Sequence, residues 1–511
     1  MIRRSDLASG RAWKHNVQSA TRRSARARGI RRAAPVMISG RTSNARDLSL
    51  HGRPDRTGRR FSAVSRLGRR LMAAVIPILL FLLSLTQCLN DEKTTPFHPD
   101  EARWLNRAHF ITDLKDPFGR MWSDYYITRG QPPLGSYLMG LGLLAQGRDV
   151  ETNAVWDFGY DADWNSFNEA MPDPEDLLAG RRTNAVVGAL VVVAVYAIGA
   201  QIAGRFGAFL GALFLSIHPL HIYLGSQALS DQLLSLTLAL AFLAAFWFGK
   251  RPSLGRAVLL GILLGLGGAT KLSPLLLSVP LAGLGAASLV VQLRLLGRGF
   301  WRRPESRIGM LLLIQPLVAF LSFVAVSPYL WTDPIRRTYY LFEFRRIEMV
   351  GQGTNWPSVA VASPTAAISR IGLRLNEGPS TTARLQELIG EVTSIGFMPI
   401  GFDLLMVCVG GLMFTIMVIN KGIVSPHGLV GVLLGSELTL IVLGMGSDFY
   451  RYYLPIVFIS AVLISVFGDA LWKLVSQLFA GSWSSLKATL TFSLVNDRAR
   501  EAASPSTSES I

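Results

Sequence analysis

The fold class is decided by the stretch TNAVVGALVVVAVYAIGAQI at residues 183–202, which contains no charged side chain. A helix rises 1.5 Å per residue, so about 20 apolar residues cross the roughly 30 Å hydrocarbon layer of a bilayer. Similar stretches occur at 71–89, 206–223, 232–248, 254–270, 272–293, 308–326, 397–419, 429–446 and 454–472. We therefore predict an all-α integral membrane protein with about ten transmembrane helices in a domain over residues 71–475.

The net charge of +17 is confined to one end of the chain. Residues 1–70 contain 19 Lys and Arg against three acids, whereas the remainder contains 32 basic and 31 acidic residues. This distribution predicts no nucleic-acid partner and indicates a disordered basic cytoplasmic tail at 1–70. The tail has two further interpretations, contact with anionic lipid or a true start site at Met37 or Met72. The Ser-rich residues 476–511 are predicted to form a C-terminal cytoplasmic tail.

Orientation follows from the positive charges in short loops, which favour the cytoplasm. With the N-terminus in the cytoplasm, residues 90–180 and 327–394 form two extracytoplasmic loops. The first is large and holds 16 acids against seven basic residues, which agrees with that side. We predict a multi-pass protein of the plasma (inner) membrane, in contact with membrane lipid. Cys88 and Cys408 lie in apolar stretches, which indicates packing rather than a disulfide.

Polar side chains recur where the predicted helices begin or end. Charged groups near the bilayer need partners or a wet cavity, so their placement at one membrane face predicts a shared site. Simpler interpretations exist: a solvated acidic pair, or a Lys271 that extends to the membrane surface. His218 and His221 are one helical turn apart, but no third ligand accompanies them and no metal is predicted. The residues concerned are His98, Asp100, Glu101, Arg181, His218, His221, Asp231, Lys271 and Arg451.

Six motifs at these helix ends carry a family resemblance. They are PDEARWL at 99–105, QPPLGSYL at 131–138, AGRRTNAVVGAL at 179–190, HPLHIYLGSQALSDQLL at 218–234, GLGGATKLSP at 265–274 and FYRYYLP at 449–455. In this order they resemble the dolichyl-phosphate-mannose protein mannosyltransferase superfamily, whose members are polyprenyl-phosphate-sugar transferases of GT-C fold. The resemblance covers roughly residues 70–330, with a weaker part at 445–475. It implies a GT-C-type helical bundle with a large first extracytoplasmic loop.

The resemblance also implies roles for particular residues. Asp100 would be the general base that accepts the proton of the acceptor hydroxyl, with Glu101 beside it. Arg181 and Lys271 would hold the phosphate of the donor lipid. The remaining polar residues at the helix ends would line the cavity: His98, His218, His221, Asp231 and Arg451. Two histidines replace the acidic or aromatic residue that relatives often have after the third helix, and the region beyond residue 330 matches no known pattern.

The predicted activity is membrane glycosyl transfer. A mannose-like sugar, or another hexose or pentose, would pass from a polyprenyl-phosphate donor to a hydroxyl of a protein, lipid or polysaccharide on the extracytoplasmic side. The donor is a co-substrate, and no cofactor is predicted. The alternative is a non-catalytic flippase or transporter of lipid-linked sugars. Transporters commonly show internal repeats and polar residues near the bilayer midplane, whereas the polar residues here lie at one face and no repeat is evident.

Overall fold

A computed structural model describes the backbone of residues 56–297, 304–377, 380–390 and 401–503. The chain divides into residues Met1–Ser65 and Arg66–Ile511, and the site described below lies in the second unit. Of the predicted N-terminal tail, residues 1–55 lie outside the described residues, while 56–70 are helical. The predicted C-terminal tail is helical from 476 to 503, and 504–511 lie outside.

Helices form most of the described backbone. The first half of the chain contains α1 (Arg56–Asp91), α2 (Pro99–Asn106), α3 (Phe110–Asp113), α4 (Tyr126–Gly130), α5 (Leu134–Ala145), α6 (Ala162–Phe167), α7 (Pro174–Ile202), α8 (Gly204–Ser216), α9 (Pro219–Gly225) and α10 (Asp231–Lys250). The second half contains α11 (Leu254–Gly268), α12 (Ser273–Leu276), α13 (Ser278–Leu296), α14 (Pro304–Ala325), α15 (Pro328–Trp331), α16 (Pro334–Asn355), α17 (Pro364–Glu377), α18 (Thr381–Gly390), α19 (Phe402–Lys421), α20 (Pro426–Gly444) and α21 (Leu454–Ala503). No β-strand occurs in these ranges, although Ala360 and Ser447 form one isolated bridge.

The predicted all-α membrane fold is confirmed by the helix lengths and composition. Within the described ranges, eight helical segments are long and apolar enough to span a bilayer. A ninth arises if α8 and α9, which meet at an angle of 59°, form one broken span. The remaining predicted stretch, at 254–270, corresponds to α11, an apolar helix of 15 residues. The stretch predicted at 397–419 is α19, and its residues 397–400 lie outside the described residues.

The spans differ in how much protein surrounds them. The windows in α10 and α21 are 72% and 78% buried, whereas those in α1 and α19 are each 17% buried. Side chains that no protein covers in an apolar span face the lipid of a membrane. We therefore assign α10 and α21 to the middle of the bundle and α1 and α19 to its periphery.

Helices α8 and α21 approach each other very closely. A Cβ atom on Gly207 would lie 2.1 Å from the carbonyl oxygen of Ser465, and one on Gly211 would lie 2.2 Å from that of Ala461. Small residues at a helix interface allow backbones to touch, which is a common way of packing helices in membranes. Any larger side chain at these two glycines would force the helices apart.

The extracytoplasmic loops proposed from the sequence contain ordered helices. Helix α7 begins at Pro174 instead of at residue 183, because Asp173 caps it and accepts a hydrogen bond from the amide of Glu175 at 2.8 Å. Arg148 adds ion pairs of 2.5 Å to both Glu175 and Asp176. The first loop also contains α5, and the second loop contains α16, α17 and α18.

Candidate functional site

The acidic pair opens helix α2 and is fixed there by a capping box. Pro99 is the first helical residue, and His98 is the N-cap. The Nδ1 atom of His98 accepts the amide hydrogen of Asp100 at 3.1 Å, and Glu101 accepts the amide hydrogen of His98 at 2.9 Å. Such reciprocal bonds satisfy amides that a helix start leaves free. The local sequence HPDE therefore holds Asp100 in a defined position.

Glu101 is committed to a buried ion pair with Arg181. The two carboxylate oxygens accept from Nε and from a terminal nitrogen of Arg181 at 2.8 and 2.9 Å, and one also accepts the amide hydrogen of Ala228 at 2.8 Å. The side chains of Arg181 and Glu101 are 4% and 0% exposed. The other N–H groups of the guanidinium donate to the backbone carbonyls of Glu92, Thr95 and Pro96. This arrangement ties the helix α2, the end of α1 and the helix α7 together.

Asp100 lies on the more accessible side of helix α2 and forms an ion pair with Arg451. The side chain of Asp100 is 17% exposed and that of Arg451 is 21% exposed. Arg451 belongs to the short 3-10 helix Tyr450–Tyr453, which leads directly into α21. Arg451, just before the start of α21, therefore contacts Asp100 in the first loop. The motifs PDEARWL and FYRYYLP, which are far apart in sequence, meet at this pair.

A second ion pair joins the starts and ends of neighbouring helices. Asp231, the first residue of α10, lies 2.5 Å from the Nζ atom of Lys271, which follows α11. The Asp231 side chain is 4% exposed and the Lys271 side chain is 24% exposed. The carboxylate therefore holds the ammonium group in place while leaving part of it accessible.

His98 lies beside the ion pair of Asp100 with Arg451. Burial lowers the pKa of His98 below its usual value, and the positive charge of Arg451 lowers it further. The carboxylates of Glu101 and Asp231 act in the opposite direction. The Nδ1 atom of His98 lies 3.9 Å from a carboxylate oxygen of Asp100, so the ring borders the ion pair of Asp100 with Arg451.

Arg345 and Tyr452 extend the site and were not singled out in the sequence. Tyr452 lies in the field of three cations, Arg451, Arg345 and Lys271. Its hydroxyl accepts a hydrogen bond from Arg345 at 3.2 Å and donates one to Gln352 at 2.9 Å. Arg345 and Gln352 come from α16, in the second loop, where the sequence offers neither a motif nor a helix boundary in the membrane. The only sequence signal was the position of Tyr452 next to Arg451 in the motif FYRYYLP, which indicated that Tyr452 lies near the site.

Behind Arg451, Asp448 anchors the loop before α21. Its carboxylate lies 3.3 Å from Arg374 and 3.5 Å from Arg370, both in α17, and accepts a hydrogen bond of 2.5 Å from Tyr453. The amide of Asp448 also donates to the carbonyl of Val359 at 2.7 Å. Two arginines one helical turn apart in α17 would have been the sequence signal for this anchor. The contacts keep the Asp448 carboxylate occupied, so it does not compete for Arg451.

Two predicted cavity residues, His218 and His221, are buried, and His218 lines a small cavity with Arg374 and Tyr453. His218 caps α9, where its Nδ1 atom accepts the amide hydrogen of Leu220 at 3.2 Å. His221 is fully buried, with Ser84 at 3.2 Å and Gln232 at 3.3 Å from its ring nitrogens. Within the described residues, no cluster of three or more His, Cys, Asp or Glu has the geometry of a metal site.

The comparisons agree with the resemblance seen in the sequence. The profile of the dolichyl-phosphate-mannose-protein mannosyltransferase family matches residues 118–329, and the resemblance to that family is thus confirmed. The matched region contains Arg181, Asp231 and Lys271, whereas Asp100 and Arg451 lie outside it. Comparison with curated protein sequences gives no match.

Solved structures of membrane enzymes also match at low identity. The Archaeoglobus fulgidus oligosaccharyltransferase tethered to an acceptor peptide has 13% identity and a TM-score of 0.45, covering 77% of this chain and 49% of that one. The archaeal oligosaccharyltransferase AglB from Archaeoglobus fulgidus, in complex with an inhibitory peptide and a dolichol-phosphate, has 12% identity and a TM-score of 0.46, covering 81% of this chain and 52% of that one. ArnT from Cupriavidus metallidurans bound to undecaprenyl phosphate has 14% identity and a TM-score of 0.43, covering 78% and 60%. The chain spans about half the length of the archaeal enzyme.

Proposed function

We propose that this multi-pass membrane protein transfers a sugar from a polyprenyl-phosphate donor to an acceptor hydroxyl, with Asp100 as general base. The observation that carries the proposal is the ion pair of Asp100 with Arg451 just before α21, beside Tyr452, whose hydroxyl accepts a hydrogen bond from Arg345 of α16. A carboxylate opposite a cationic cluster matches a reaction in which a proton leaves one reactant and negative charge develops on the other.

The reaction balances with these groups alone. The acceptor oxygen attacks the anomeric carbon of the sugar and forms a new C–O bond, while the bond from that carbon to the phosphate oxygen breaks. The electron pair of the broken bond stays on the departing polyprenyl phosphate. The hydroxyl proton passes to the Asp100 carboxylate. No oxidant, nucleotide or cofactor is required, and attack opposite the leaving phosphate inverts the anomeric carbon.

Lys271 and Arg451 are the proposed ligands of the donor phosphate. Each has a partly accessible cationic head group held by one carboxylate, Asp231 in the first case and Asp100 in the second. Lys supplies a compact charge and Arg a planar set of donors that suits phosphate oxygens. A phosphate bound to Arg451 would also compete with Asp100 for that guanidinium, which would release the carboxylate to act as a base.

We assign Arg181 and Glu101 a positioning role instead of direct contact with substrates. Support comes from the full hydrogen bonding of the Arg181 guanidinium by Glu101 and by backbone carbonyls, which leaves none of its N–H groups for a phosphate in this conformation. Together they fix the start of helix α2 and therefore the location of Asp100. This proposal changes the role that the family resemblance implied for Arg181.

The proposed site lies on the extracytoplasmic side of the plasma (inner) membrane. The charge distribution of the loops supports this side, because the basic excess lies in residues 1–70 and the loop with Asp100 is acidic. Reporter fusions test it: a fusion near Asp157 should be extracytoplasmic and one after Arg256 cytoplasmic. A cytoplasmic fusion near Asp157 would contradict the proposed side.

The decisive experiment is donor consumption by the purified full chain. Radiolabelled polyprenyl-phosphate mannose, a second hexose donor and a pentose donor are incubated with peptide, lipid and polysaccharide acceptors in lipid nanodiscs. We expect one donor to release polyprenyl phosphate in step with labelled acceptor. A flippase reconstituted in sealed vesicles would move the lipid across the bilayer with its phosphate–sugar bond intact, and that result would overturn the proposal.

A further inference from the structure

The first extracytoplasmic loop displays a group of aromatic side chains in the segment 149–169, which we call the acidic aromatic loop. Phe158, Tyr160, Trp164 and Phe167 are 42%, 55%, 39% and 87% exposed. Tyr160 and Trp164 stack at 4.0 Å between ring centroids, with their planes 14° apart. Exposed clusters of large apolar groups mark interaction surfaces, and Tyr and Trp are the residues most often found there.

Buried hydrogen bonds fix the backbone of the acidic aromatic loop, which carries the exposed aromatic side chains. Asn165 is fully buried, and its amide donates to the carbonyls of Asp157 and Asp161 at 2.9 and 2.8 Å while its oxygen accepts the amide hydrogen of Asp157 at 2.8 Å. The carbonyl of Glu169, which adopts a positive φ of 59°, accepts from Ala154 at 2.8 Å. A surface that is rigid before binding loses less entropy when a partner docks.

Charge identifies the kind of partner that suits this surface. The acidic aromatic loop contains six Asp and Glu and no Lys or Arg. Negative charge opposes contact with anionic lipid head groups, which disfavours a membrane anchor. Carboxylates beside exposed aromatic faces attract cations through Coulombic and cation–π interactions. The molecule uses this chemistry at the base of the loop, where the guanidinium of Arg103 lies 4.2 Å from the Phe158 ring centroid.

The loop is attached to the helix that carries the proposed base. Trp156 packs against Phe97 at 5.4 Å between ring centroids, and its carbonyl accepts a hydrogen bond from Nε of Arg103 at 3.1 Å. Asn106 donates to the carbonyl of Asn153 at 2.7 Å. Phe97, Arg103 and Asn106 flank or belong to helix α2, so a segment bound on the loop lies beside the helix on which Asp100 is mounted.

We propose that the acidic aromatic loop docks a cationic polypeptide segment, and that the acceptor of the proposed transfer is a hydroxyl on such a basic polypeptide. The inference about the acceptor rests on the proposed function, whereas the docking of a basic peptide does not. Tyr160 and Trp164 supply the aromatic faces. Asp163 supplies an exposed carboxylate that makes no hydrogen bond or ion pair within the described part of the chain.

The test uses the full chain in nanodiscs of zwitterionic lipid and a fluorescein-labelled peptide of alternating Lys and Ser. Matched peptides carry Gln or Glu in place of Lys, and anisotropy reports binding. We expect the Lys peptide to bind about tenfold more tightly than the Gln peptide and to weaken as salt rises, because exposed charges are screened. Equal binding of the Lys and Gln peptides would overturn the proposal.

Variants locate the binding to the loop. The double change Tyr160→Ala with Trp164→Ala should weaken binding of the Lys peptide by about tenfold, since it removes two aromatic faces available for cation–π contacts. Asp163→Asn, at an exposed position, should weaken it by a smaller factor without disturbing the fold. Phe118→Ala removes another exposed aromatic ring, 72% exposed, and should leave the affinity unchanged. Unchanged affinity for the Lys peptide in both loop variants would overturn the proposal. So would a neutral oligosaccharide that binds the wild type and loses as much affinity as the Lys peptide when Trp164 is removed.

Donor consumption by the same samples separates the two proposals. If no donor is consumed with any acceptor, the proposed transferase activity fails, while the docking of the basic peptide is still decided by anisotropy. If a donor is consumed but the Lys peptide neither binds nor becomes labelled, the transferase activity stands and the basic acceptor is wrong.

Discussion

Asp100 and Glu101 are neighbours in sequence and carry the same chemical group, yet they occupy two different regions of the molecule. Glu101 lies in the protein interior, 0% exposed, with its charge neutralised by Arg181 and with three hydrogen bonds to those oxygens from Arg181 and Ala228. Asp100 lies at the accessible site, 17% exposed, beside Arg451 and His98. The difference teaches that complete hydrogen bonding makes a carboxylate structural, while partial exposure leaves one available for proton transfer.

The comparison predicts the largest effect on turnover at Asp100. Asp100→Asn keeps the shape of the side chain but removes the proposed base, and general-base contributions are typically about 10²–10⁴-fold. We expect that loss in the rate of sugar transfer, with donor binding retained. The measurements are transfer rate and donor affinity on variants with matched thermal unfolding. Near wild-type transfer by Asp100→Asn would remove this residue from the mechanism, and a dead Glu101→Gln of normal stability would exchange the roles of the pair.

Stability should respond most at the interior pair. Arg181→Ala leaves the buried Glu101 without its counter-charge, and breaking a buried pair in this way typically costs about 3–5 kcal/mol. Arg182→Ala is the matched control, because the Arg182 side chain is 49% exposed and lies 3.4 Å from Glu92. The Glu92 side chain is 6% exposed, so loss of this single longer contact should cost more than the about 0–1 kcal/mol of a surface pair but less than loss of the fully buried pair. Thermal unfolding, monitored by tryptophan fluorescence, distinguishes Arg181→Ala from Arg182→Ala.

An Arg181→Ala variant with unchanged unfolding but weakened donor affinity would contradict the structural role. It would instead support the phosphate-binding role that the family resemblance implied for Arg181.

A smaller effect is expected at the second accessible pair. Lys271→Ala should weaken donor binding by about tenfold or somewhat more, the size typical of a hydrogen bond to a charged group. Lys271→Arg retains the charge and should recover much of that affinity. Donor binding is measured by titration with the polyprenyl phosphate itself. Equal affinity in wild type and Lys271→Ala would mean that Lys271 serves only to pair with Asp231.

The smallest effect on sugar transfer is expected at His98. Its contribution is tested by the dependence of stability on pH below 7. Neutral His98 accepts the amide hydrogen of Asp100, and the lowered pKa of His98 keeps it neutral at pH 7. Below the ordinary histidine pKa of about 6.5, His98 binds a proton in the unfolded chain but stays neutral in the folded chain. Protonation therefore favours the unfolded chain, and the free energy of unfolding decreases as the pH falls. His98→Asn keeps a good N-cap without titrating.

We expect His98→Asn to change transfer at pH 7 by less than about threefold and to show a smaller loss of stability between pH 7 and pH 5 than the wild type. Unfolding temperatures across that range provide the measurement. An identical acid-induced loss in both proteins would exclude His98 as its source.

The sequence predicted the membrane helices and several members of the site because these depend on local signals. Hydropathy over about 20 residues locates spans, and polar residues at their ends identified Asp100, Asp231, Lys271 and Arg451. Pairing over long separations has no such signal, so the bond between Glu101 and Arg181 was not foreseen. His218 and His221 looked similar to the site residues because helix-end position alone does not reveal burial.

Arg345 shows a second reason for what the sequence missed. It lies in α16, a helix of mixed polarity in the second loop, and reaches the site only because Tyr452 accepts its hydrogen bond. Neither its spacing nor its neighbours distinguish it from the exposed arginines around it. A contact of this kind is defined by the packing of two loops and becomes visible only in three dimensions.

The close approach of α8 and α21 at Gly207 and Gly211 has a consequence for motion. Backbones that touch at these two glycines cannot slide or rotate past each other without collision, so the two helices move as one rigid body. Arg451 stands at the beginning of α21 and is carried by that body. Helix α2 is held to α7 by Arg181, so opening of the site to a lipid or an acceptor falls to helix α16, which meets this region through the hydrogen bond from Arg345 to Tyr452.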